Sequence, residues 1–256
     1  MRRLAVSINR SSNRRETFLS LQPKEKAVVP IQDVRTRWNS TYLMLQRAKR
    51  LQPFFNQYCS QWDCPNLKLS HEEWRQVDYL LWLTRPFYEF TVALSKTRDV
   101  TIHTIFSVYN RLFDHLDMSI NKIRPKKVQW KQLMLNALID GRQKLRDYYY
   151  ETDLVPNNLY AIATAMGPEN KFQFFSSKDW DNYREDYRKS LQELYESYKQ
   201  RVAHTAGSTQ AQSISQKSRL EILLTAPHSS QSHTNSNDEL TRYLSSGKAP
   251  FILILN

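Results

Sequence analysis

Two arginines and a tryptophan lie within three residues of one another at Arg35, Arg37 and Trp38, just ahead of the apolar run Tyr42, Leu43, Met44 and Leu45. A guanidinium grips a phosphate or a guanine edge through a planar fork of donors. An indole offers a flat face on which an unpaired base can stack. The cluster therefore has the chemistry of a nucleic-acid contact. Asn39, Ser40 and Thr41 between the two groups are all good N-cap types, so the spacing predicts a helix from Thr41 onward. A helix N-terminus adds free backbone N–H groups and the positive end of the helix dipole, both favourable to phosphate. A core tryptophan flanked by surface arginines fits the same residues, and spacing alone leaves that alternative open.

Charge narrows the choice. The 256-residue chain carries a formal +12. Residues 1–50 hold 12 Lys and Arg, Arg14 and Arg15 among them, against Glu16, Glu25 and Asp33, so 12 − 3 = +9 sits there. A focused basic region is the electrostatic footprint of a nucleic-acid surface; a solvated face or a nuclear-import signal has the same composition.

The elements that must position this cluster are helical. Only 4 glycines occur, which argues against dinucleotide folds, phosphate loops and turn-dense β architectures. No apolar run approaches the roughly 20 residues of a membrane span, and the N-terminus lacks the apolar core of a signal peptide. Two cysteines imply no disulfide framework and a reducing compartment. Short helices are predicted over 2–9 and from Ser11 or Ser12 to Leu21, where Pro23 ends the second. Residues 27–34 read as extended. A helix from Thr41 to about Gln61 is bent or split by Pro53. Ser70 and Glu73 form a capping box for a helix that passes Pro86, where a kink is expected. Further helices carry Ile105 to Ile123, Trp130 to Tyr148 and Leu159 to Ala165, and a last long one carries Trp180, Tyr183, Tyr187, Leu191, Leu194, Tyr195, Tyr198 and Val202 on one face. These aromatic stripes read as core or helix-packing surfaces. Residues 205–237, rich in Ser, Thr, Gln and Asn, read as disordered, and a short helix follows over 238–245.

Arg37 to Tyr42 with Leu43, Met44 and Leu45 resembles the RWNSTYxML signature of the hAT transposase superfamily. Four further segments are similar to that family in the expected order: residues 4–18, with Ser11, Ser12, Arg14 and Arg15; Pro86 to Ser95; Leu159 to Trp180; and Asp238 to Leu244. The resemblance thus covers nearly the whole chain. It implies a mainly α fold, the helical insertion-type region of an RNase-H-like transposase, with at most one or two short strands near the N-terminus and a disordered C-terminal tail. The expected domains are a basic approach segment (1–36), the helical transposase region (37–204), a polar linker (205–237) and the start of a truncated dimerisation region (238–256). It implies a DNA partner at transposon ends or flanks, a nuclear location, no membrane, and a homo-oligomer formed through that region. Trp38 would stack on a flipped-out base with Arg37 on its phosphate, supported by Arg35, Asn39, Arg14 and Arg15.

Catalysis is not expected here. Full-length family members hold divalent metal such as Mg on three carboxylates, and zinc in a BED finger. By comparison the chain has none of those carboxylates, and no cofactor of its own. Asp33, alone among arginines, is expected to pair with Arg35 or to cap local backbone; Asp78, Glu89, Asp114 and Asp117 read as surface or ion-pair charges. Cys59, Cys64 and His71 lack the spacing and the fourth ligand of a zinc site. The expectation is an inactive DNA-binding remnant; a piece of an active transposase and a nuclear helical protein-interaction scaffold are the competing readings.

Overall fold

The computed structural model describes residues 1–62, 65–96, 100–208 and 238–246, the side chains of residues 65 and 202–208 excepted. Cys64, most of the stretch expected to be disordered (209–237) and the tail 247–256 lie outside the described residues. The chain divides into two compact units, residues 1–99 with 112–138 and residues 100–111 with 139–256. Both are helical, and among the described residues there is no strand; residues 27–34 are extended without pairing.

The first unit opens with α1 (Arg2–Asn9) and α2 (Ser12–Ser20). After a 3-10 turn at Lys24–Lys26 come α3 (Trp38–Arg50) and α4 (Gln52–Gln61). The chain breaks between these two at Leu51, whose φ of −92° and ψ of 3° leave the helical region. Pro53 then sits in the first turn of α4, where its missing N–H costs nothing. Helix α5 (His71–Leu94) begins with the capping box: the Ser70 hydroxyl accepts from the Glu73 N–H at 3.2 Å, and the Glu73 carboxylate accepts from the Ser70 N–H at 2.8 Å. It runs through Pro86 without a break. Leu4, Ile8, Phe18, Leu51, Phe55, Tyr58, Trp74 and Val77 form the core these helices close over. Phe18 lies against the rings of Phe55 and Tyr58 at 5.2 and 5.7 Å. Completing the unit are residues 112–123 of α6 (Ile105–Ile123), the turn after it, and the start of α7 (Gln129–Tyr150).

The second unit packs α8 (Leu159–Met166) and α9 (Arg184–Ser208) around Phe106, Phe172, Phe175, Trp180, Tyr187 and Leu191. Trp180 and Tyr183 precede α9 instead of lying on it, because Lys178–Trp180 is a separate 3-10 turn. The expected packing face of α9 is also more open than its periodicity implies. Leu194 and Tyr198 are exposed and, with Tyr195, Leu240 and Tyr243, line the groove against which α10 (Glu239–Ser245) lies. Lys171 holds this short helix. Its backbone is left-handed (φ 49°), and its buried ammonium donates to the carbonyl oxygens of Tyr243 and Ser246 at 2.8 and 2.9 Å. These are carbonyls a helix end leaves unsatisfied. Lys171→Met is expected to loosen α10 by roughly 1.5 kcal/mol, the worth of hydrogen bonds to a charged donor. Faster amide exchange confined to residues 239–246 would register it.

Candidate nucleic-acid interface

The turn that carries the cluster is built by the polar residues around it. Val34 O accepts the Arg37 N–H at 2.9 Å and closes the turn. The Ser40 hydroxyl accepts the Val34 N–H at 2.7 Å and reaches the carbonyl oxygens of Arg37 at 2.6 Å and Val34 at 2.9 Å. One hydroxyl thus ties the approach loop to the first turn of α3. Helix α3 therefore starts at Trp38 with Arg37 at its N-cap, not at Thr41 behind a cap at 39–41. Ser40 bonds backwards three residues from inside the helix, so its hydroxyl serves the approach turn instead of capping a helix that begins behind it. Ser40→Ala is expected to cost about 1 kcal/mol and to speed exchange of the Val34 amide proton, read by hydrogen–deuterium exchange.

Asp33 anchors the loop from the other side. It accepts from the Thr41 hydroxyl at 3.2 Å and pairs with Arg2 at 3.4 Å. The expected Arg35 pairing is not made, because α1 brings Arg2 to the carboxylate. Tyr42 is buried and stacked on Tyr88 of α5, centroids 4.5 Å apart. Ser40, Thr41 and Tyr42 of the signature thus hold the local fold together.

What they leave outside is the chemistry. Trp38 is 45% exposed, so the alternative of a core tryptophan does not describe it. Arg35 and Arg37 are exposed, and among the described residues neither guanidinium has a side-chain partner. No side chain caps α3, which leaves first-turn N–H groups open beside the indole. The remaining expected contacts lie differently. Arg14 donates to the Ser7 hydroxyl at 3.0 Å and sits 5.6 Å from the Trp62 ring. Arg15 donates to Asn9 O at 3.0 Å. Asn39 is half-buried, its amide oxygen enclosed without a partner. The structure therefore gathers Arg35, Arg37 and Trp38 on one turn, whereas Arg14 and Arg15 are held by α1, α2 and the end of α4.

Residues 1–82 match the family model of the ZBED1 RNase-like helical domain. Across 96% of its length the chain is 48% identical to the protein named Putative transcriptional regulator tpeD of Talaromyces stipitatus, of which it covers 27%. It is 27% identical over 69% of its length to Zinc finger BED domain-containing protein DAYSLEEPER of Arabidopsis thaliana, covering 24% of that protein. Over 65% of its length it is 26% identical to Putative AC transposase of Zea mays, covering 20%. These matches support kinship with the hAT-type transposase-like proteins. It spans about a quarter of the length of these relatives, and no solved structure matches it.

The stretch that matches the family model contains the whole Arg35–Trp38 turn and the core under it. Among the described residues no three His, Cys, Asp or Glu side chains gather closely enough to hold a metal ion. Asp78 is paired with Lys49 and Glu89 with Arg85, each at 2.7 Å. Cys59 is buried in the hydrophobic core, which does not suit a zinc ligand shared with His71, an exposed residue at the start of α5. No described helix is long and apolar enough to cross a membrane.

A second aromatic and basic grouping in this unit escapes a sequence reading. Tyr79 and Trp82 on α5 meet Trp130 on α7 beside Lys122, Lys126 and Lys131. The signal for it was present but divided. Trp130 read as a core or helix-packing residue, and the lysines carry no pattern of their own in the sequence.

Proposed function

We propose that this region binds DNA by stacking Trp38 on an unpaired base while Arg35, Arg37 and the open first-turn N–H groups of α3 hold the adjacent phosphates. The observation that carries the reading is an exposed indole next to two unpaired guanidinium groups on a turn pinned by Ser40. Such a turn is organised before the ligand arrives, so little ordering entropy opposes binding. The printed names of the relatives, a zinc finger BED protein and an AC transposase, support a DNA partner, and transposon ends or flanks are the targets that kinship suggests. A nuclear location follows from the same kinship. The region contributes positioning and not bond cleavage in this reading, and Asp238 to Ser246 opens a surface for self-association.

A second reading has an observation of its own. The relative matched over 96% of the chain is named as a transcriptional regulator, so the same grip would serve regulation instead of transposition. Both readings require DNA binding, which salt titration tests. If Arg35, Arg37 and one neighbouring cation each neutralise a phosphate, the logarithm of affinity falls with that of salt at a slope near −3. That is about a 40-fold loss between roughly 50 and 200 mM. Fluorescence anisotropy on labelled hairpin DNA measures it, and absence of binding at the lowest salt would remove the reading.

A further inference from the structure

The cleft framed by α5, the end of α6 and the start of α7 encloses about 390 Å³, at the small end of ligand sites. Its walls are aromatic. Tyr79 lies 5.7 Å from Trp82 and 5.9 Å from Trp130, ring centroid to ring centroid. Its rim is cationic, formed by Arg75, Lys122, Lys126 and Lys131. The acids nearby are already neutralised. Asp78 is bound to Lys49 at 2.7 Å. Glu72 accepts from the Trp130 indole N–H and from Arg75, and the indole bond, ahead of the Arg75 charge, holds its carboxyl below the usual range. The Tyr79 hydroxyl is buried without a partner; burial raises its pKa and keeps it a neutral donor.

We propose that this cleft is a second nucleotide site, which takes one unpaired nucleotide of a DNA strand, its base on the Trp82 ring and its phosphate among Lys122, Lys126 and Lys131. Lys122 now lies over Trp82, 4.9 Å from its centroid. A cation–π contact at an exposed site is worth about 2- to 5-fold in affinity, whereas base stacking reaches roughly 100-fold. The base therefore displaces the ammonium, which swings outward to meet the phosphate. The strand assignment rests on the Trp38 reading; the nucleotide chemistry does not. Lys49 at the last turn of α3 ties that helix to Asp78 at the cleft, so Trp38 stands about 16 Å away along the α3 axis at 1.5 Å per residue. That distance is about five nucleotides of stacked strand, within reach of one piece of single-stranded DNA.

The test uses the whole chain with labelled oligodeoxythymidine, plain duplex and thymidine monophosphate. Trp82→Ala is expected to weaken single-strand binding about 10-fold or more with duplex affinity kept. Lys122 and Lys126 are exposed, so Lys122→Gln with Lys126→Gln leaves the core intact; that variant is expected to reduce the salt slope by about 2. Unchanged single-strand affinity and slope in the lysine variant would overturn the site, whatever happens to the fold of Trp82→Ala. The mononucleotide binding as tightly as the strand would overturn the strand assignment. Loss in Trp38→Ala with none in the cleft variants would end this inference and leave the Trp38 grip standing. Loss in the cleft variants with none in Trp38→Ala would establish the cleft and end the grip.

Discussion

Phe18→Ala is expected to destabilise the N-terminal unit by about 3–5 kcal/mol, the range for a fully buried phenylalanine truncated to alanine. Phe18 is 0% exposed. It fills the space between α2 and α4, tilted against Phe55 and edge-on to Tyr58. Removing the ring leaves a void lined by large aromatics. These are held in turn by Trp74 and Trp62, so collapse into the void is restricted and the cost falls toward the upper end. With a urea dependence of roughly 2 kcal/mol per molar, the midpoint of unfolding would drop by about 2 M. Ser20→Ala on the exposed side of α2 is the control and should stay within about 0.5 kcal/mol. A midpoint for Phe18→Ala equal to that of the control would mean that the α1–α4 core does not hold this unit together.

That core was largely readable because its determinants are local. Ser70 and Glu73 stand three residues apart, so the box they form needs nothing from elsewhere in the chain. The apolar period that places Trp74 and Val77 on one face of α5 is likewise written within a few turns. The start of α3 was harder. Asn39, Ser40 and Thr41 are equally good caps by type, yet none is the cap: Ser40 bonds back to Val34 and Arg37, and the helix begins ahead of all three. That bond depends on how residues 33–37 approach, and their approach is fixed by Arg2 on Asp33 across 31 positions. Arg14 is a similar case. It belongs to the basic region by composition, yet α1 and the end of α4 supply Ser7 and Trp62 to occupy it. The cleft lay furthest from view. Trp130 fits a helix-packing stripe, Tyr79 and Trp82 fall off the apolar period of α5, and only the fold brings the three together with lysines from the α6–α7 corner.

The exposed indole carries the second large effect. Trp38→Ala is expected to weaken binding to a hairpin tip or a flipped-base duplex by about 1–3 kcal/mol, roughly 5- to 150-fold, while plain duplex loses much less. The difference arises because a paired base keeps its own stacking neighbours and has no free face for the indole. Stability should hardly change, since Trp38 is 45% exposed and the turn is held by Ser40, Asp33 and Thr41. This separates a ligand-facing role from a packing role, for which affinity and stability would fall together. Trp38→Phe keeps an aromatic face and is expected to recover part of the hairpin affinity. Arg37→Ala should behave differently again: a phosphate contact is lost on both substrates alike, with the salt slope reduced by about 1. Paired titrations on hairpin and duplex at fixed salt decide the matter. Equal losses for Trp38→Ala on the two DNAs would show that the ring never meets an unpaired base, and would leave Arg35 and Arg37 as a sequence-neutral phosphate clamp.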